Sequence, residues 1–579
     1  MAFFKKYRAG FLIGLIFAIY TLISFGIYEA RTLNGNINNH ILSGDMFGVP
    51  AALKEHGIKP LYYGAGNTGW DGQFYYYISN DIFALKDTSI HIDAPSYRYQ
   101  RVGLSLYVAT ISSMLGNDWV SPATFFISYF CLILSATFVG ALLLMRFGAN
   151  PVLILLWSFS IGTQITLFNA LPDAAADAFL ILALGALFSG RLKLSIIPFA
   201  LSGLSREVYV LFPSFIFVLY VSNSFCCARA SGGSGTKVLV QLFFVRKKYY
   251  LLLLPGLIAF FWNIYITSHF GISPASQAHG ILGLPLVAWT EYLLSGLQGN
   301  HKLIGAGVYA YVEAWSLVLF LLVLVISFWI SVRVLKEYFQ KTSPVMGGVA
   351  VAAISFIFLY LCFGPTVIMH YTGYFKALAI FFFLIPLLLT ATTVTSPIKK
   401  LIYVLLFISL ISTTIYNMKT RILPYTYNHE EHTKMREISD KSRVECFGKY
   451  NADIKVNAVS ITPSSAISHF FGRGDQVVVD LELKNTGEYP FWSTRNFGSV
   501  FMSYHWIDAK GKVIQDGVRS AIPGGLLPGQ SKQVAVVSNI PVNPGDDISL
   551  MLSPVQEGCG WFYLANPNYS GNVKLNIKK

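Results

Sequence analysis

The chain has 579 residues, of which 54% are hydrophobic and only 12% charged, and its mean hydropathy is +0.53. An ordinary soluble domain carries about 25% charged residues, so this composition excludes one and indicates a polytopic membrane protein. The net charge of +14 invites a nucleic-acid reading. The bases, however, gather at the ends of apolar runs: Lys5, Lys6 and Arg8; Arg246, Lys247 and Lys248; Arg333 and Lys336; Lys399 and Lys400. That distribution orients helices in a bilayer and builds no groove for a phosphate backbone, so nucleic acid is excluded as a partner.

The first apolar run, 10–28, follows a basic start and lacks a small-residue cleavage site, so it reads as an uncleaved helix with a cytoplasmic N-terminus. A polar stretch over 30–101 comes next as an external first loop. Apolar runs then recur at 102–115, 121–145, 151–168, 174–187 and 194–220, the last interrupted by SGLSRE. After a basic, Gly- and Ser-rich loop they continue at 250–267, 315–332, 346–363, 377–389 and 401–416. A crossing needs about 20 residues and no fewer than about 17, and the pattern predicts about eleven or twelve transmembrane helices. Basic residues inside at 246–248, 333–341 and 399–400 place 269–308, 364–376 and everything after 416 outside. The first half does not close as neatly, which predicts one partial or re-entrant segment between 102 and 173.

From 451 the grammar changes. VVVDLELKN, SVFMSYHWID, KQVAVVS and ISLMLS are short alternating or β-branched runs separated by NTG, AKGK, PGGLLPGQ and NPGDD, which predicts an all-β sandwich of immunoglobulin-like size. The expected organisation is therefore a transmembrane domain over 1–417, a linker over 418–450 and a sandwich domain over 451–579. Of six cysteines, none has metal-ligand spacing. Cys446 and Cys559 bracket the sandwich, and a disulfide between them is an expectation if that domain lies outside the cytoplasm.

Chemistry-bearing residues concentrate in WDGQFYYYISNDIF and DAPSYRYQR, between 70 and 101. Asp71 stands among Trp70, Phe74 and Tyr75, where desolvation is expected to raise its pKa and suit it to act as a general base near neutral pH; the structural alternative is that it caps the following helix. Trp70, Gln73 and Tyr75 are candidate substrate contacts. Arg98 and Arg101 share a helix face, and guanidinium forks match phosphate oxygens, although tyrosine-flanked arginines also serve as interface anchors. Asp93 is a second carboxylate or a positioner for one of these arginines.

Arg206 and Glu207, in the break LSRE, point at an external cavity or close a hairpin as an ion pair. In GPTVIMHYTGYFK, Lys376 is a candidate phosphate ligand and His370 and Tyr371 are candidate sugar contacts, with a purely structural histidine as the alternative. Asp173 and Asp177 lie four apart and start a helix. No Walker loop, GxSxG or HExxH occurs. The absence of DxD argues against a nucleotide-sugar donor; no cofactor is identified and divalent-metal dependence stays open.

An N-terminal helix, a long external loop with an acid in a DGQFY motif, and YRYQR leading into a short helix together resemble the GT-C superfamily of polyprenyl-phosphate-dependent integral-membrane glycosyltransferases, by motif over 1–220 and by hydropathy beyond. The resemblance implies a GT-C-like fold in a bacterial inner membrane, with the sandwich periplasmic. It implies Asp71 as the catalytic acid-base residue, with Asp45 and Asp93 as rivals, and Arg98, Arg101, Arg206 and Lys376 around the donor phosphate. Its implied partners are a polyprenyl-phosphate sugar, a glycan acceptor and membrane lipids. A polysaccharide polymerase or ligase, and a lipid-linked glycan flippase or transporter with a sugar-sensing tail, are the rival readings. The tail motifs KNTGEYPFW, VFMSYHWID and SPVQEGCGWF resemble a β-sandwich attached to bacterial polysaccharide enzymes, which implies sugar stacking by Trp492 and Trp561, whereas Trp506 reads as core.

Overall fold

The computed structural model describes residues 2–33, 35–44, 46–61, 68–230, 247–278, 280–301, 305–306, 308–338, 343–417, 446–462, 475–491, 499–517, 519–520, 522, 526–541 and 547–576. The chain divides into two compact units, one formed by 1–41 with 71–427 and one by 42–70 with 428–579. The sequence places 42–70 in the same first loop as Asp71. The structure instead groups this stretch with the C-terminal unit.

The first unit is helical. Its labelled helices are α1 (Ala2–Thr32), α2 (Gly72–Ser79), α3 (Pro95–Gln100), α4 (Gly103–Met114), α5 (Pro122–Arg146), α6 (Asp173–Phe188) and α7 (Leu192–Ser205). They continue with α8 (Leu211–Ala230), α9 (Leu254–Phe270), α10 (Val308–Tyr338), α11 (Pro344–Leu361), α12 (Tyr371–Leu378), α13 (Phe381–Leu389) and α14 (Ser396–Asn417). Serine followed by proline starts two of the long ones: Ser121 accepts a bond from Thr124 N ahead of α5, and Ser343 one from Met346 N ahead of α11. The hydroxyl satisfies an orphan donor of the first turn, and proline at the first position has no N–H to leave unpaired.

Among the described residues seven helices are long and apolar enough to cross a membrane, or eight if the bent pair over 151–168 is one span. The chain is thus a multi-pass membrane protein, and among its described residues seven or eight of the eleven or twelve expected crossings have the length and composition of a full span. The runs at 102–115 and 174–187 become helices of 12 and 16 residues, below the length that spans hydrocarbon. The run at 194–220 breaks at Arg206, ending α7 after 14 residues. The pair over 151–168 bends by 53°, which locates the irregularity predicted between 102 and 173. The stretch from His370 to Lys376, expected as a loop, instead opens a buried helical span, Tyr371–Leu389.

The second unit holds two antiparallel sheets. One has the order β1 (Ala452–Thr462), β2 (Gln476–Asn485), β5 (Ser531–Asn539). The other has the order β8 (Gly571–Asn576), β6 (Asp547–Gln556), β3 (Val500–Asp508), β4 (Val513–Asp516), with the short β7 (Gly560–Trp561) on β6. In β2, Val477, Val479, Leu481 and Leu483 are buried while Asp480 and Lys484 face out, the period-two pattern of a half-buried strand. These side chains share one core with Met502, Trp506, Val536, Leu550 and Leu552, so both sheets bury their inner faces against each other. Trp506 is in that core and donates to Ser538 Oγ at 2.9 Å. Cys446 and Cys559 form a disulfide.

Candidate functional site

The helical unit buries a series of ion pairs beside α2 and α3. Asp71 occupies the position before α2, yet its carboxylate makes no capping bond. It accepts instead from Arg98 Nη1 at 3.1 Å. The rest of the Arg98 fork grips Asp93, with Nε to Oδ1 at 2.9 Å and Nη2 to Oδ2 at 2.8 Å. The same guanidinium lies 5.1 Å from the Phe74 ring centre and 5.6 Å from that of Tyr97, so the aromatic cluster of the motif forms the walls of an arginine slot.

Close backbone packing fixes this slot. A Cβ on Gly72 would meet the carbonyl oxygen of Asn169 at 1.7 Å, so only glycine lets α2 approach that turn. The glycine's role here is close contact with a neighbouring segment.

Arg101 is engaged with a different carboxylate, its Nε donating to Glu207 Oε2 at 3.1 Å and its Nη2 to Oε1 at 3.0 Å. Arg206 lies 2.8 Å from Asp173 Oδ1 through Nη1; this ion pair is close but poorly aligned, and neither Nε nor Nη1 has a well-directed acceptor among the described residues. The expected Arg206–Glu207 pair is therefore replaced by two pairs with separate partners. Asp173 and Asp177 do more than begin α6: Asp177 accepts from Trp157 Nε1 at 2.9 Å and from the Tyr209 hydroxyl.

Electrostatics at Asp71 run opposite to the expectation from sequence. Burial alone would raise its pKa, but the charges of Arg98, Lys376 and Arg101 outweigh it and hold the carboxyl below its ordinary value. Asp71 is hemmed in by protein yet keeps 48% of its side-chain surface open, as a group in a recess does. The carboxylate is ionised at neutral pH and reachable.

Lys376, on α12, faces this carboxylate electrostatically and forms no ion pair or hydrogen bond with the described residues. Ahead of it, His370 Nδ1 lies 2.7 Å from Thr372 Oγ1 and its Nε2 3.5 Å from Glu313 Oε1. Glu313 also accepts from Tyr371 N at 3.1 Å and Tyr374 Oη at 3.3 Å. Sequence reasoning passed over Glu313; the signal was an acid just ahead of the apolar run 315–332, where an ionisable group needs a partner.

Gln73, Tyr75 and Tyr371 are buried inside the unit. Trp70 belongs to the second unit. The Trp561 ring there lies 4.0 Å from His505 and 5.1 Å from the Arg519 guanidinium, so protein groups already pack against it. Asp45 and Trp492 lie outside the described residues. Among the described residues no three His, Cys, Asp or Glu side chains converge as a metal site. Comparison with protein-family models, curated proteins and solved structures gives no significant match.

Proposed function

We propose that this protein is a membrane glycosyltransferase that moves a sugar from a polyprenyl-phosphate carrier to a hydroxyl acceptor, with Asp71 as general base. The observation that carries the reading is an ionised, reachable carboxylate within electrostatic reach of Lys376, a cation in no direct ion pair among the described residues. The acceptor oxygen attacks the anomeric carbon while its proton passes to Asp71. The bond between that carbon and the phosphate oxygen breaks, its electron pair leaves with the lipid phosphate, and the single displacement inverts the centre. Asp71 then releases the proton to water.

The four basic residues divide between two roles. Arg98 and Arg101 already spend their forks on carboxylates, which suits them to hold Asp71, Asp93 and Glu207 in place. Arg206 and Lys376 keep unmatched donor capacity and are the ligands of the departing phosphate. Tyr360 braces this pair rather than binding phosphate: its hydroxyl donates to Ala377 O, next to Lys376, and it lies within electrostatic reach of Arg206. The Cys446–Cys559 bond supports an oxidising compartment for the second unit, since structural disulfides persist outside the cytoplasm.

The test is Asp71→Asn in membranes supplied with a polyprenyl-phosphate sugar and scored for transfer and for protein level. Loss of transfer by roughly 10²–10⁴-fold, the range of a lost general base, with normal protein level supports the reading. Unchanged transfer refutes it, and intact transfer with lost solute uptake favours a transporter.

A further inference from the structure

We propose that the loop following α2, around 82–90, is inserted in the bilayer and rests against lipid acyl chains beside α9. Three large apolar side chains stand out from it, Phe83 at 53%, Leu85 at 76% and Ile90 at 67% exposure, although it belongs to none of the apolar spans. Exposed apolar side chains alone do not distinguish a lipid contact from a protein contact. The backbone does.

The chain here is irregular, with Ala84 at φ +54°, and five of the backbone groups at its tip, the N–H of Ala84, Leu85 and Lys86 and the carbonyls of Phe83 and Ala84, are paired within the protein. Asp81 supplies three acceptors: its carbonyl to Ala84 N at 3.1 Å, Oδ1 to Leu85 N at 2.9 Å and Oδ2 to Lys86 N at 3.1 Å. From α9, the Tyr265 hydroxyl donates to Phe83 O at 2.7 Å, and His269 Nε2 lies 3.1 Å from Ala84 O. A surface loop in water has no need of such pairing, because solvent supplies it. At hydrocarbon depth every unpaired backbone group costs several kcal/mol, and irregular backbone is tolerated only where the protein satisfies it.

The neighbouring helix is part of the membrane surface. α9 exposes Leu254, Leu257, Ile258, Phe260, Phe261 and Ile264, while Trp262, Tyr265 and His269 line its C-terminal turns. Tryptophan and tyrosine mark the boundary between hydrocarbon and water. Because Tyr265 and His269 bond directly to the loop, the apolar tip continues the lipid-facing surface of α9. The Lys86 ammonium reaches back to Asn80 O at 3.5 Å, as a basic side chain does when its stem lies along apolar surface. The occupant is therefore lipid, and the assignment is independent of the reaction proposed above.

The experiment places a nitroxide at Leu85→Cys in the full-length protein, with Cys131, Cys226, Cys227 and Cys362 replaced by alanine and the disulfide kept. The protein is reconstituted in nanodiscs of phosphatidylethanolamine and phosphatidylglycerol. Collision with oxygen is compared with collision with a water-soluble nickel chelate, using labels at Leu257 and Lys510 as lipid and water references. Oxygen preference at 85 resembling that at 257 is the expected result. Preference for the chelate means water and overturns the proposal; access by neither reagent means that protein covers the tip and overturns it as well. Ile90→Cys gives the same reading where the first variant fails to fold. Tyr265→Phe supplies a second readout: in lipid the orphaned Phe83 carbonyl loosens the loop and narrows the spectrum at 85, whereas an unchanged spectrum contradicts the proposal.

Discussion

The two units handle charge in opposite ways. In the helical unit Arg98, Arg101, Arg206, Asp173 and Glu313 lie inside, their charge matched by specific partners. In the β-unit the shared core is built almost wholly from apolar and aromatic side chains, and the Arg519–Glu557 pair stays at the surface with about a third of each side chain exposed. Burying an ion pair is a poor way to stabilise a fold, since apolar residues of similar volume do as well or better. Charges kept inside a membrane unit at that cost point to chemistry, and charges kept outside a sandwich point to solubility.

That contrast can be broken at several places. The largest expected effect in the helical unit is Arg206→Ala, which leaves Asp173 buried beside an empty position. Loss of one partner of a buried pair costs about 3–5 kcal/mol, to be seen as a lowered melting temperature in detergent, with partial recovery in the double variant Arg206→Ala, Asp173→Asn. In the β-unit the comparable loss comes from the covalent link. The disulfide closes a separation of 113 residues, and replacing Cys446 and Cys559 by serine should cost about 2–5 kcal/mol, read as an earlier melting transition for that unit.

Gly72→Ala should follow, at about 1–3 kcal/mol for overpacking against the Asn169 carbonyl. Gly511 is its counterpart in the sandwich; with φ +78° and open space around it, its alanine variant should cost only about 1 kcal/mol of backbone strain. The smallest effect is Arg519→Ala, expected within about 1 kcal/mol for an exposed pair.

The acid limb of activity sharpens the same contrast. Asp71 has its folded pKa held below the ordinary carboxylate value. Its favourable pairing is therefore present above the unfolded value and lost only as pH falls through the lower folded value. Transfer should persist without an Asp71 titration around neutral pH, and protonation should enter only below the ordinary carboxylate range. An acid limb near pH 6 that vanishes in Asp71→Asn would contradict the electrostatic picture.

The sequence revealed the membrane class, the β-sandwich and the segment where charge collects, because hydropathy and period-two alternation are local signals. Helix length was less legible, because apolar runs such as 102–115 and 174–187 look alike whether they span a bilayer or form helices of only 12 and 16 residues. Pairing was the least legible property. Arg206 stands next to Glu207 in the chain but pairs with Asp173, and the pKa of Asp71 depends on Lys376, 305 positions away (376 − 71). The motif showed that Asp71 is crowded; only the fold shows that its neighbours are cations, which reverses the sign of the shift.

The proposed reaction requires a lipid-borne phosphate held by Arg206 and Lys376. Native mass spectrometry of the purified protein, with the bound lipid fragmented, tests it directly. The prediction is a polyprenyl-phosphate sugar that is retained in Asp71→Asn and lost in the double variant Arg206→Gln, Lys376→Gln. A wild-type protein carrying no lipid phosphate under conditions where it transfers sugar, or equal retention in the double variant, would contradict the claim.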